Sequence, residues 1–336
     1  MATIRELASE AGVSVSTASI VLRGEAKARK ISETTQEKVW AAAKRVGYRP
    51  NVAARRLRSR TDDALAISIF WASDFRAPMM VRFLRGLQSR ILELGRKIDI
   101  MIHPYAVGAL PDSLEALSVC NAAIVCNASS DDVAFLENMT LPIPVVLYNR
   151  RSSRLSAVCV DNEAMGTLPA RIFASRGHAR AVLLTGESSF PGMDSRESAF
   201  VSEAILRGMS VQRIVREHSM AGGFAGGEAI RDMAQRPDSV FCISDVLAIG
   251  LLRAFLKAGI RVPEDVEVIS IGNGDRDAEE YASTSLSVVH LPMERMAAAC
   301  LDSALAELDG DADAPRAVTI PFVYRERESC GGLVEA

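Results

Sequence analysis

The sequence is poor in the features that mark several protein classes. Its 336 residues hold six cysteines, Cys120, Cys126, Cys159, Cys242, Cys300 and Cys330, and no two of them form a CxxC pair. That scatter argues against a zinc or disulfide framework. Four of the thiols lie in apolar surroundings such as AVCVDN and VFCISD, where a buried, reduced cysteine is expected. The four histidines, His103, His178, His218 and His290, are far apart and each sits in a plain packing context. GGFAGG and GNGD have glycines but neither the strand–GxGxxG–helix layout nor a P-loop lysine. No catalytic constellation, metal site or cofactor is expected, so the chain is read as not being an enzyme. No apolar run reaches the ~18–20 residues of a membrane helix. MATIRELASE lacks the charged-then-apolar layout of a signal segment, so a cytoplasmic protein is expected. Hydrophobic residues at 49% and charged residues at 24% fit an ordinary globular chain with room for two or three domains.

What is present is an asymmetry of charge. Residues 1–60 contain 13 Lys and Arg against 5 Glu, a net of +8, whereas the remaining residues contain 26 against 37 acidic groups, a net of −11. A small basic head on a large acidic body suits a polyanionic partner for the head alone.

Within that head, residues 4–24 read IRELASEAGVSVSTASIVLRG. Ile4, Leu7, Ala8 and Ala11 recur at helical spacing, and Gly12 falls where a left-handed turn ends the helix. Ser14 or Ser16 can cap a second helix, which buries Ala18 and Val21 and leaves Ser14, Val15, Ser16, Thr17, Ser19, Ile20 and Arg23 outside. Two short helices about a glycine, the second showing small polar groups, predict a helix-turn-helix whose second helix enters a major groove. An ordinary helical hairpin is the plainer alternative. A third helix begins at ISETTQEKV, with Ser32 or Thr34 as cap, Glu37 supporting its first turn and Val39, Ala42, Ala43 and Val46 as its buried stripe. Pro50 then breaks the chain. VAARRLRSR (residues 52–60) is too short to be helical alone, and it places Arg55, Arg56 and Arg58 around Leu57. Such a segment fits a minor-groove wedge, or more simply a charged linker.

TIRELASEAGVSVSTAS, TTQEKVWAAAKRVGYRPN and AARRL resemble the head and hinge of the LacI/GalR family of bacterial transcription regulators. The resemblance implies a homodimer whose hinge helices order only on near-palindromic operator DNA. Leu57 takes the intercalating position, Arg55 that of the hinge arginine, and Tyr48 and Asn51 precede the hinge. Thr3, Ala54 and Arg58 complete the DNA-contacting set. Ile20 departs from the arginine usual in the family. An isoleucine offers a thymine methyl an apolar contact, whereas arginine would bond guanine, so a different half-site is expected.

From residue 63 the texture becomes alternating β and α. ALAISIFW, IDIMIHP, AAIVC, PVVLYN and SAVCVD read as buried strands of one half, and AVLLTG, VQRIV, SVFCIS and VEVISIG as strands of a second. Helices are expected between them, among them residues 77–94, 165–175, 194–207, 226–233 and 248–258. The expected fold is an N-terminal three-helix helix-turn-helix head (1–50) with a hinge helix (51–62). An α/β body follows, which the resemblance makes periplasmic-binding-protein-like, of two parallel-sheet subdomains. Their bounds are 63–161 with 291–319, and 162–290 with 320–336.

Ligands of open parallel sheets bind beyond the carboxyl ends of the strands. Polar or aromatic residues there are Trp71, Asp74 and Phe75; Asn149 and Arg150; Asp161; Arg196; Asp245; and Asn273 with Asp275. Phe224 completes the candidate set. An aromatic ring, carboxylates and arginine suit a polyol or sugar, although each carboxylate could equally cap a local helix. VCVDNEAMG, DSRESAF, CISDVLAIG, VPEDVEVISIGNGD and LSVVHLPMERMAAA resemble family segments, with Arg196 at the ligand arginine and Gly274 where an aspartate is usual. The expected function is a ligand-responsive repressor of carbohydrate-utilisation genes released by a sugar inducer. A purine or nucleoside corepressor is the alternative, and a transport protein, a Rossmann-type enzyme or an activator rank lower. The ending GGLVEA adds no leucine heptad, so a dimer rather than a tetramer is expected.

Overall fold

Small side chains set the geometry of the N-terminal unit. The computed structural model describes residues 4–22, 31–46, 64–74, 76, 79–187, 190–311 and 317–331. It divides into two units, residues 1–63 and 64–336. In the first, α1 (Ile4–Ala11), α2 (Val15–Leu22) and α3 (Glu33–Val46) close on Leu7, Ala8, Ala11, Ala18, Val21, Val39, Ala42 and Ala43. Gly12 adopts φ +64°, and the Val13 amide donates to the Ala8 carbonyl at 3.0 Å, ending α1 as its glycine predicts. Ser14, not Ser16, caps α2 by accepting from the Thr17 amide at 3.0 Å. Ser32, not Thr34, caps α3 by accepting from the Thr35 amide at 3.3 Å. Gln36 rather than Glu37 supports that turn, its Nε2 donating to the Ile31 carbonyl at 2.9 Å. The expected hinge helix (51–62) lies outside the described residues.

The second unit alternates strands and helices. Its first run is β1 (Leu65–Ala72), α4 (Met80–Leu94), β2 (Ile98–Tyr105), a 3-10 stretch (Leu110–Val119), β3 (Ala122–Cys126), α5 (Ser130–Asn138), β4 (Val145–Tyr148) and β5 (Ser156–Cys159). The next is α6 (Asn162–Ser175), β6 (Arg180–Gly186), α7 (Pro191–Leu206), β7 (Ser210–Arg216), α8 (Met220–Arg231), β8 (Ser239–Cys242), α9 (Asp245–Ala258), β9 (Glu267–Gly272), α10 (Arg276–Glu280) and β10 (Ser287–His290). Then α11 (Met293–Leu308), β11 (Ala317–Thr319) and β12 (Val323–Arg325) finish it.

Among the described residues these strands form two six-stranded sheets, β11-β5-β4-β3-β1-β2 and β12-β10-β9-β8-β6-β7. Every pairing is parallel except that of β12 with β10. Continuous apolar runs become strands buried on both faces: β3 and β4 are buried throughout, and β1 at all but its first residue. The chain passes between the sheets after β5, after β10 and again after β11, and α11 returns to pack on α4 and on β3–β5.

The expected element limits change most at α8. α8 begins at Met220, capped by Ser219, six residues before the expected start at Gly226. GGFAGG is therefore helix interior. Its glycines let α8 lie against α9 backbone to backbone: a Cβ at Gly223 would stand 2.1 Å from the Leu247 carbonyl oxygen, and one at Gly250 would stand 2.0 Å from that of Met220. That contact outweighs the ~1 kcal/mol each helical glycine costs relative to alanine. All six cysteines are buried and free. Among the described residues no helix is long and apolar enough to cross a membrane.

Candidate functional site

Two regions merit attention, the outer face of α2 and the cleft of the body. On α2, Val15 and Ser16 are exposed and Ile20 and Thr17 half-buried, while Ala18 and Val21 hold the helix to the head's core. Ser14 is already engaged, its hydroxyl capping the helix and lying 2.8 Å from Thr17 Oγ1. The face thus offers hydroxyls and aliphatic groups, a chemistry that reads thymine methyls and hydrogen-bonds either base edge. Of Ser19 only the backbone is described, and Thr3, Arg23, Tyr48, Asn51, Ala54, Arg55, Leu57 and Arg58 lie outside the described residues.

The cleft is built at the carboxyl ends of the strands. Trp71 is the last residue but one of β1, Asn127 follows β3, and Asn149 and Arg150 follow β4; from the other sheet come Phe190, the residue before α7, Arg196 on α7 and Asn273 after β9. Asn127 and Asn149 take positive φ, 63° and 53°, turning the chain sharply at two adjacent strand ends. Asparagine tolerates that left-handed geometry best after glycine. Asn149 Oδ1 accepts from Asn162 Nδ2 at 3.2 Å, and Asn162 Oδ1 accepts from Arg196 Nε at 2.9 Å, a relay linking the sheets. Arg150 donates to the carbonyls of Ala128 and Asn149. Arg76 pairs with Asp74 and donates to the Asn127 carbonyl at 3.2 Å. Phe190 presents one ring to both of these arginines, with Cζ of Arg76 at 4.6 Å and of Arg150 at 5.2 Å from its centroid. Burial lowers the Arg150 and Arg196 guanidinium pKa values to about 10, which leaves both charged at neutral pH.

Other expected ligand residues are placed differently. Asp161 is exposed and caps α6, accepting from the Ala164 amide at 2.9 Å. Asp275 is exposed and caps α10, accepting from the Asp277 amide at 3.0 Å. Asp245 is buried and takes the Gly274 amide at 2.6 Å and the Val246 amide at 2.9 Å. A Cβ on Gly274 would stand 2.5 Å from Asp245 Oδ2, so the bond to Asp245 explains the glycine there. Phe224 lines a separate apolar groove of about 410 Å³ with Met220, Ile249 and Arg253, because it lies on the α8 face turned to α9. Phe75 lies outside the described residues. Sequence reasoning missed Arg76, Asn127 and Phe190. Asn127 satisfied the strand-end criterion, and Arg76 stands two residues beyond Asp74; Phe190, at the start of α7, carried no local signal.

Two histidines, His290 buried and His218 half-buried, give the body an acid limit. His290 accepts from Arg82 Nη2 at 2.9 Å, and burial with the charge of Arg82 takes its pKa down to about 3. Burial takes His218 down to about 4, despite the opposing pull of Asp74. Unfolded, each binds a proton near pH 6.5, so between about 4 and 6.5 the unfolded chain holds more protons. Their contribution to stability is present above about pH 6.5 and lost as pH falls through their folded values. Melting temperature is expected to drop steadily from pH 7 to 5, with a shallower slope in His290→Gln; a flat profile would refute this.

Comparison with known proteins adds a second line of support. The model of bacterial regulatory proteins of the lacI family matches residues 3–51, and that of the periplasmic binding protein-like domain matches 170–330. The chain joins a lacI-family regulatory domain to a periplasmic binding protein-like domain. A relative of this chain is the HTH-type transcriptional repressor PurR of Vibrio atlanticus (strain LGP32), 26% identical over 309 residues that span 88% of this chain and 89% of that protein. A LacI family transcription regulator from Clostridium acetobutylicum is similar in structure, with TM-score 0.76 and 29% identity over 78% of this chain and 99% of its own. The transcriptional regulator CelR in complex with cellobiose has the same fold, with TM-score 0.68 and 22% identity over 98% of this chain and 100% of its own.

Proposed function

We propose that this chain is a cytoplasmic, homodimeric LacI-family repressor that reads an operator through α2 and the segment 51–62, and that a carbohydrate bound in the cleft releases it. The observation that carries the reading is the cleft itself. Trp71, Arg150, Phe190 and Arg196 come together from both sheets at the strand ends, where ligands of parallel sheets bind. The residues bet on for DNA are Ser16, Val15 and Ile20 on the face of α2, with Leu57 and its flanking arginines as the minor-groove wedge. A sugar is favoured by the ring of Trp71 beside polar groups and by the cellobiose complex of a structural neighbour. The proposed domain limits are those read from the sequence. They put the Asn149–Asn162–Arg196 relay across the boundary between lobes, where a ligand that changes closure would be felt.

The coupling is a difference in ligand affinity between two closure states, typically ~1–3 kcal/mol, or about 5- to 150-fold in operator affinity. The test selects bound DNA from a random pool with the full-length chain, then titrates sugars and purines against the selected operator. A sugar that weakens binding by such a factor is the expected result. Tighter binding with a purine would overturn the inducer reading, and no selected sequence at all would overturn the repressor reading.

A further inference from the structure

The charge of the cleft narrows the class of effector, an inference that rests on the cleft being the effector site. Its innermost part is lined by three guanidinium groups, those of Arg76, Arg150 and Arg196, and by no aspartate or glutamate. Arg150 is 6% exposed and Arg196 1%. Each has an Nη2 with no acceptor in the protein, and so do Trp71 Nε1 and Asn127 Nδ2. All four are donors. Buried donors are satisfied as a rule, and a buried cation without a counter-charge is costlier still. A sugar hydroxyl or a purine N–H brings donors of its own into such a site. A carboxylate only accepts, and it supplies the missing negative charge in a geometry that matches guanidinium.

The adjoining cavity has the opposite character. About 710 Å³ in volume, it shares Arg76, Asn127 and Phe190 with the inner space and carries the carboxylates of Asp74, Glu187, Asp194 and Glu217. Carboxylates accept from hydroxyls and repel a second negative charge. The inner space is about 20 Å³, room for a small terminal group and not for a sugar ring. We propose that the effector is a small polyhydroxy monocarboxylate, a sugar acid of the aldonate or uronate type. Its carboxylate meets Arg150 and Arg196, and its hydroxyls face the outer carboxylates. Burial leaves both arginines protonated at neutral pH, as the pairing requires.

The experiment is calorimetry on the full-length chain with matched neutral aldose, aldonate, uronate and sugar phosphate, together with purine bases. An aldonate or uronate is expected to bind about tenfold or more tighter than its neutral parent and than the phosphate, as charged hydrogen bonds imply. Arg150→Gln is expected to erase that preference. The wild-type ranking decides the matter even where the variant fails to fold. If a neutral aldose, a purine or a sugar phosphate binds tightest, and Arg196→Gln abolishes its binding, the carboxylate proposal falls and the cleft stands as the effector site. No heat with any ligand, with operator affinity unchanged throughout, overturns both.

Discussion

Gly250→Leu is expected to lower the melting temperature of the body by about 6–12 °C, corresponding to a loss on the order of 3 kcal/mol in a domain of this size. The physical reason is the absence of space. The first carbon of any side chain at 250 would stand 2.0 Å from the Met220 carbonyl oxygen and 2.7 Å from the Phe224 amide nitrogen. Both obstacles are backbone, so no rotamer change relieves them, and α8 and α9 must separate. Separation opens the core beneath Leu247 and Leu251, both wholly buried. Gly250→Ala is expected to act in the same direction and less severely, because one methyl needs a smaller shift. Thermal melts of the variants check this, and a Gly250→Leu protein melting within about 2 °C of wild type would show that the two helices can part freely.

The second large effect concerns base preference rather than stability. Ile20→Arg is expected to move the selected half-site toward guanine at one position, with a discrimination of about 1–3 kcal/mol. Ile20 is half-exposed on α2, whereas Ala18 and Val21 hold the helix to the core, so the change should leave the head folded. Melting should stay within about 0.5 kcal/mol of wild type, as for surface substitutions generally. Selection from random DNA with both proteins reads the result. An unchanged preferred sequence would mean that this side chain does not reach the base edges.

The alternation of strands and helices was legible because apolar runs such as LAISIFW and AAIVC are of strand length and lie between amphipathic stretches. The start of α8 was not legible. Its glycines are helical only because α9 comes close, and that contact spans more than twenty residues of sequence. The strand-end criterion gathered Trp71, Asn149, Arg150, Arg196 and Asn273 into one lining. It also took in Asp161 and Asp275, since a carboxylate that caps a helix and one that faces a ligand occupy the same place in a sequence. What separates them is the direction of the side chain, which depends on the fold. Phe190 escaped for a related reason: its partners Arg76 and Arg150 sit more than a hundred and about forty residues away, respectively, with the first sheet supplying both.

The threading of the chain between the sheets bears on biosynthesis. Each lobe takes a strand from one short stretch that follows both βα series, β11 for one and β12 for the other, and the first lobe also waits for α11. Neither lobe can be completed until the stretch from β11 to β12 has been synthesised, so the two mature together rather than one by one.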